Sequence, residues 1–145
     1  MLCVNRYERN YVDECRSGME SQLAPYKALV TSAREKTGTG KSAFNAAVES
    51  FEPPFFGNLV LVLDRFFVHR ARGMEGKDRN PLNEVRLFCY SILENRGVMS
   101  ANKTIKYNPA KSILKLQIGD ELKLTESNFA LLFKAFFAEI EAKFM

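Results

Sequence analysis

Apolar residues recur at steps near 3.6 along most of this chain, and at steps of two along one stretch near its end. From about Tyr7 to Lys36, Val12, Cys15, Met19, Leu23, Tyr26, Val30 and Ala33 keep helical spacing with charged residues between them, which predicts an amphipathic helix. Pro25 lacks an amide donor and crowds the carbonyl four residues back, so a kink is expected there, or two helices meeting. Thr37-Gly38-Thr39-Gly40 ends this region. Ser42 is the expected N-cap of a short helix that turns Phe44, Ala47, Val48 and Phe51 inward.

Pro53-Pro54 is expected to close that helix and open a central one, because proline is tolerated in a first turn. In the central helix Phe56, Leu59, Val60, Leu63, Phe66 and Phe67 share a broad apolar face, widened by Leu61 and Val68, so it is expected to be buried nearly all round. One narrow stripe interrupts the apolar surface: Asn58, Val62, Arg65, His69 and Arg72, at alternating steps of four and three. Asp64 sits off that stripe among apolar neighbours, so it must reach solvent or find a partner on another helix. Gly73 and Gly76 end the helix. Asn80-Pro81 then caps and starts another, which runs to about Asn95 and buries Val85, Phe88, Cys89 and Ile92.

Beyond Gly97 the period changes. Leu114, Leu116 and Ile118 alternate with polar residues, Gly119-Asp120 intervenes, and Leu122 and Leu124 alternate again, a pattern that predicts a β-hairpin. A short edge strand over 104–107 is expected to precede it across Asn108-Pro109. Thr125 caps a last helix with Phe129, Leu132, Phe133, Phe136, Phe137, Ile140 and Phe144 on one side. The fold expected is mainly α: a single-domain helical bundle of four or five helices covering 1–145, with a small antiparallel β-hairpin at about 104–124 inserted before the C-terminal helix.

Composition narrows the function. The chain of 145 residues carries 12 Phe and no Trp, so one phenylalanine-rich core is expected. A net charge of +4, spread without a basic run, gives no nucleic-acid arm. The lysines at 103, 106, 111, 115 and 123 read first as guards of an exposed strand edge, and second as a weak nucleic-acid face. Cys3, Cys15 and Cys89 are odd in number and widely spaced, as reduced thiols would be. With no apolar signal segment at the N-terminus and no apolar run long enough for a bilayer, a cytoplasmic protein is expected.

The segment Thr37-Gly-Thr-Gly-Lys-Ser42 ends like a phosphate-binding P-loop, but Glu35 stands where the first glycine belongs and no strand pattern leads in. It reads as a turn between helices. His69 is the only histidine, flanked by Arg65 and Arg72 on the same predicted face, and no metal or other cofactor is expected. Arg65-Phe-Phe-Val-His69 resembles the Arg and His pair of helical ribonucleases of the HEPN class, but three residues separate the pair where that class has four to six, so no roles carry over.

Two readings of function remain. In the first, the chain is a non-enzymatic association domain, a homodimer joined through its apolar helices, with Phe129, Phe133, Phe136, Phe137 and Phe144 at the interface. In the second it is a small-molecule or anion-binding protein, or an enzyme, built on Asn58, Asp64, Arg65, His69, Arg72, Glu84 and Arg86 between the central helix and the Pro81 helix. The same cluster, with Arg70, Arg79, Glu75 and Asp78, also reads as an ion-pair joint between those helices.

Overall fold

A computed structural model describes residues 3–145, apart from the side chain of Thr39; what the sequence suggests about Met1 and Leu2 lies outside it. The chain forms α1 (Arg9–Lys36), α2 (Lys41–Phe66), a single turn α3 (Arg72–Glu75), α4 (Pro81–Glu94) and α5 (Glu126–Phe144). Short 3₁₀ turns lie at Gly38–Gly40 and Pro109–Lys111. The C-terminal half of α2 runs through the middle, touching α1, α4 and α5. Its Phe56, Leu59, Val60 and Leu63 meet Leu82, Val85 and Phe88 of α4 and Phe129, Leu132, Phe136 and Phe137 of α5 in one core. Burying each such side chain favours folding by about 1.5–3 kcal/mol. Among the described residues no helix is long and apolar enough to cross a membrane.

Two of the three expected caps form, while Ser42 lies inside α2, which starts at Lys41 after Gly40 with no side-chain cap. Asn80 Oδ1 accepts from the Asn83 amide at 3.0 Å, and Thr125 and Asn128 make a reciprocal capping box at the start of α5. The expected helix boundaries at proline do not form. α1 continues through Pro25 and α2 through Pro53-Pro54, so the chain has one helix where two were expected on either side of Pro53. The carbonyls robbed of a partner belong to Ser21, Glu49 and Ser50, all exposed, where water can replace the missing amides. The N-terminal half of α2 pairs with the end of α1 as an arm, held by Tyr26 against Phe51 and Phe55 and by Arg34 over Phe44. Between residues 20 and 54, Tyr26 is the only buried one among those described.

α2 also stops short, at Phe66 and not near Arg72. The cause is Arg70. Its guanidinium folds back to donate to the Phe67 carbonyl at 2.9 Å and to pair with Asp64 at 3.0 Å, putting a cation at the helix C-terminus where the dipole favours one. His69 and Arg72 therefore leave the stripe that Asn58, Val62 and Arg65 keep.

The β-hairpin is absent: no strand forms among the described residues, and residues 95–125 are irregular apart from the single turn at Pro109–Lys111. Only isolated bridges occur, Val98 with Glu121 and Val4 with Arg70. The alternation at 114–124 is real, but side chains take the backbone groups a ladder would use. The Glu84 carboxylate accepts from the Ile113 amide, Ser112 Oγ from Lys115, Asp120 Oδ2 from Gln117, and the Leu116 carbonyl is taken by the Tyr107 hydroxyl. Lys115 adopts a φ of 56°, which no extended strand tolerates. With no strand edge to protect, the guard role for the five lysines falls away. The segment instead covers α4, which becomes the most enclosed helix, with Leu82 to Val85 and Leu87 to Cys89 all buried.

Candidate functional site

The densest polar geometry lies where α2 ends and α3 and α4 begin. Glu75, the last residue of α3, is 2% exposed and is its hub. Arg70 Nη2 donates to Glu75 Oε1 at 3.0 Å, Arg86 Nε to Oε1 at 3.2 Å and Arg86 Nη2 to Oε2 at 2.7 Å. Arg70, itself 2% exposed, spans Glu75, Asp64 and the Phe67 carbonyl, with its guanidinium 5.8 Å from the Phe136 ring. Burial pushes the Glu75 carboxyl up, but the bonds and charges of Arg86 and Arg70 outweigh it and hold the group below the usual carboxylate value. It is an anion held between guanidiniums.

The turn after α3 is drawn in by its carbonyls. Asn80 Nδ2 and Lys143 Nζ both donate to the Glu75 carbonyl, at 2.8 and 2.9 Å, and Asn83 Nδ2 donates to that of Gly76 at 3.1 Å. Gly76 has φ 78°, a left-handed conformation in which a side chain is strained.

Above this joint opens a cleft of about 320 Å³, lined by Arg72, Glu75, Gly76, Lys77, Asn83 and Arg86, and closed by Thr104 and Ile105. Arg72 is free at its head: its side chain is 67% exposed and its nearest carboxylate oxygen, Glu75 Oε2, is 3.9 Å away. Burial first, and the neighbouring Arg86 charge second, lower its pKa. Lys77 is exposed beside it. The lone carboxylate in the lining already has both oxygens engaged by guanidiniums. What the cleft offers a visitor is unspent positive charge, an amide and a hydroxyl, with one apolar wall at Ile105.

The seven residues singled out from the sequence separate in the fold. Arg72 and Arg86 line the cleft. Asp64 lies below, paired to Arg70. Glu84 is buried at 3% exposure, where it accepts the Ile113 amide at 2.8 and 3.1 Å. Asn58, Arg65 and His69 are exposed and line no part of the cleft. Lys77, Asn83, Thr104 and Ile105 were not singled out: they come from a turn, a cap and an irregular segment, and only the density of charge at 72–86 pointed near them.

The other candidates resolve simply. Residues 37–40 form the turn from α1 into α2, with Gly38 at φ 48°, and Lys41 and Ser42 belong to α2. Cys15 and Cys89 are buried and Cys3 exposed, all as free thiols, and burial raises the pKa of Cys89. Phe129, Phe136, Phe137 and Phe144 are buried inside the chain, and of the five phenylalanines only the half-buried Phe133 keeps part of its surface open. No protein-family model matches this chain, and comparison with curated proteins and with solved structures finds no match either.

Proposed function

We propose that the protein binds a small anion in the cleft of Arg72, Lys77 and Arg86. The observation that carries this reading is the imbalance in the lining: three cations, Arg72, Lys77 and Arg86, stand with one carboxylate, and that carboxylate is already bonded by Arg86 and, from beneath, by Arg70. Guanidinium groups pair with carboxylate and phosphate oxygens in two-pronged fashion, and Arg86 is already oriented by Glu75. A volume of about 320 Å³ fits a ligand at the small end of the usual range. Titration calorimetry with phosphate and with acetate tests the reading. Heat that saturates for one of them, and is lost in an Arg72→Gln, Lys77→Gln double variant with an unchanged melting temperature, supports it. Absence of binding by either overturns it. Three free thiols suit a reducing compartment, the cytoplasm.

One observation favours a second reading, self-association. A groove of about 500 Å³ between α2 and α4 is lined by Leu61, Val62, Phe66, Val68, Cys89 and Leu93, and Leu93 is 68% exposed. The two helices run antiparallel, with Gly57 against Ile92 and Cys89 bonded to the Val60 carbonyl, so exposed Arg65 and exposed Glu94 mark opposite ends. A second copy laid across by a two-fold axis that sets one Arg65 end on the other's Glu94 end pairs unlike charges twice. Sedimentation equilibrium decides it: a dimer that Leu93→Glu converts to monomer upholds the reading, and a monomer at high concentration ends it.

A further inference from the structure

We infer that the cleft is built for a dianion, a phosphoryl group, in preference to a singly charged carboxylate. The inference rests on the anion-binding reading above and adds the ligand's charge and shape.

Charge is the first argument. Arg72, Lys77 and Arg86 against Glu75 leave two positive charges unmatched in the lining. Beneath them Arg70 and Asp64 offset each other at 3.0 Å. Behind Gly76, Asp78 and Glu139 share the single cation Lys143, at 3.2 and 3.3 Å from Asp78, and Asp78 also accepts from Asn80 Nδ2, so this group carries one net negative charge that lies outside the lining. A phosphate monoester carries about −1.5 to −2 near neutral pH, which matches two unmatched cations where a carboxylate matches one.

Donor geometry is the second. Arg86 spends Nε and Nη2 on Glu75 and keeps Nη1. Arg72 keeps its whole fork beyond 3.5 Å from any carboxylate, and Lys77 adds a third cationic side chain to the lining. Donors spread over three side chains suit the three terminal oxygens of a phosphoryl group better than the two coplanar oxygens of a carboxylate. Ile105 supplies an apolar wall for whatever carries the phosphoryl group, and Thr104 stands beside it. Both belong to the irregular segment that Glu84 fastens to α4 through Ile113, so the ligand would rest against chain with no ladder of its own.

The same chemistry has two sources, free phosphate or a phosphorylated small molecule, and one set of titrations at constant ionic strength separates them. The probes are inorganic phosphate, phenyl phosphate, dimethyl phosphate and acetate, with amide resonances of residues 72–77 and 102–107 as readout. The dianions should bind about tenfold or more tightly than singly charged dimethyl phosphate or acetate, and Arg72→Gln and Lys77→Gln should each weaken phosphate by several-fold. Tighter binding of phenyl phosphate than of phosphate assigns the site to an organic phosphate resting on Ile105, equal binding to the free ion, and either upholds the inference. Equal affinity for dimethyl phosphate and phosphate overturns the dianion inference while leaving the anion reading intact. No shift at these amides with any of the four probes overturns both.

Discussion

Glu75 and Glu84 are equally hidden, at 2% and 3% exposure, and the protein treats them in opposite ways. Glu75 meets two guanidiniums and its pKa falls. Glu84 meets no cation: burial raises its pKa, against the Ile113 and Leu114 amides and the Ser112 hydroxyl. One carboxylate ties three helical segments into a charged joint. The other pins an irregular segment to the face of α4. Burial alone therefore says little about a carboxylate's task; the kind of donor around it decides whether its charge is an asset or a cost.

The largest test of the contrast is Arg70→Met. It strips the cation from Asp64 and one of two from Glu75 inside the core, and removing one partner of a buried pair costs about 3–5 kcal/mol. Urea denaturation should show a midpoint shift of that size. Glu84→Ala should cost less, about 1–3 kcal/mol, because it orphans a backbone amide and strands no charge. Glu84→Gln keeps an acceptor for Ile113 and should lie close to wild type. If Glu84→Ala proved the costlier of the two, the joint would not be the stronger anchor.

Some of this contrast could be read in the chain and some could not. The helical periods placed Val12, Cys15, Met19 and Tyr26 in the core, and the caps at Asn80 and Thr125 needed only local chemistry. The dense charge at 64–86 marked the joint as one of its own alternatives. Three features were hidden. Alternating leucines at 114–124 fit a pleat, and nothing local revealed that Glu84, Ser112, Asp120 and Tyr107 would take the ladder's hydrogen bonds. Prolines at 53 and 54 read as a break because exposure of the carbonyls at 49 and 50 is a tertiary fact. Arg70 read as one arginine among several, since its burial depends on Glu75 and Asp64 arriving from either side.

Acid titration sharpens the comparison further, because the two shifts have opposite signs. Glu75 has a folded pKa below its ordinary 4.5, so its stabilising contribution is complete above pH 4.5 and is lost as pH falls through the depressed value. Glu84 has a folded pKa above 4.5, so its contribution is complete below pH 4.5 and is lost as pH rises through the raised value. Stability measured by urea at each pH should therefore carry a falling component just above pH 4.5 that Glu84→Gln abolishes. Below 4.5 the loss on acidification should be the same in wild type and Glu84→Gln, and reduced in Glu75→Gln.

The smallest expected effect separates joint from cleft. Arg72 belongs to the same charged cluster as Arg70 and Arg86, but its head is exposed and 3.9 Å from Glu75 Oε2, and exposed pairs of this kind contribute about 0–1 kcal/mol. Its neighbour Arg86 is a like charge that already lowers its pKa, so removing it relieves repulsion while it forfeits a weak attraction. Arg72→Gln should thus leave the urea midpoint within about 0.5 kcal/mol of wild type, as surface substitutions usually do. Arg86→Gln, which takes two hydrogen bonds from Glu75, should cost several times more. If the two variants destabilised the fold equally, Arg72 would be a member of the joint, and the cleft would lose the one guanidinium that the fold does not need for itself.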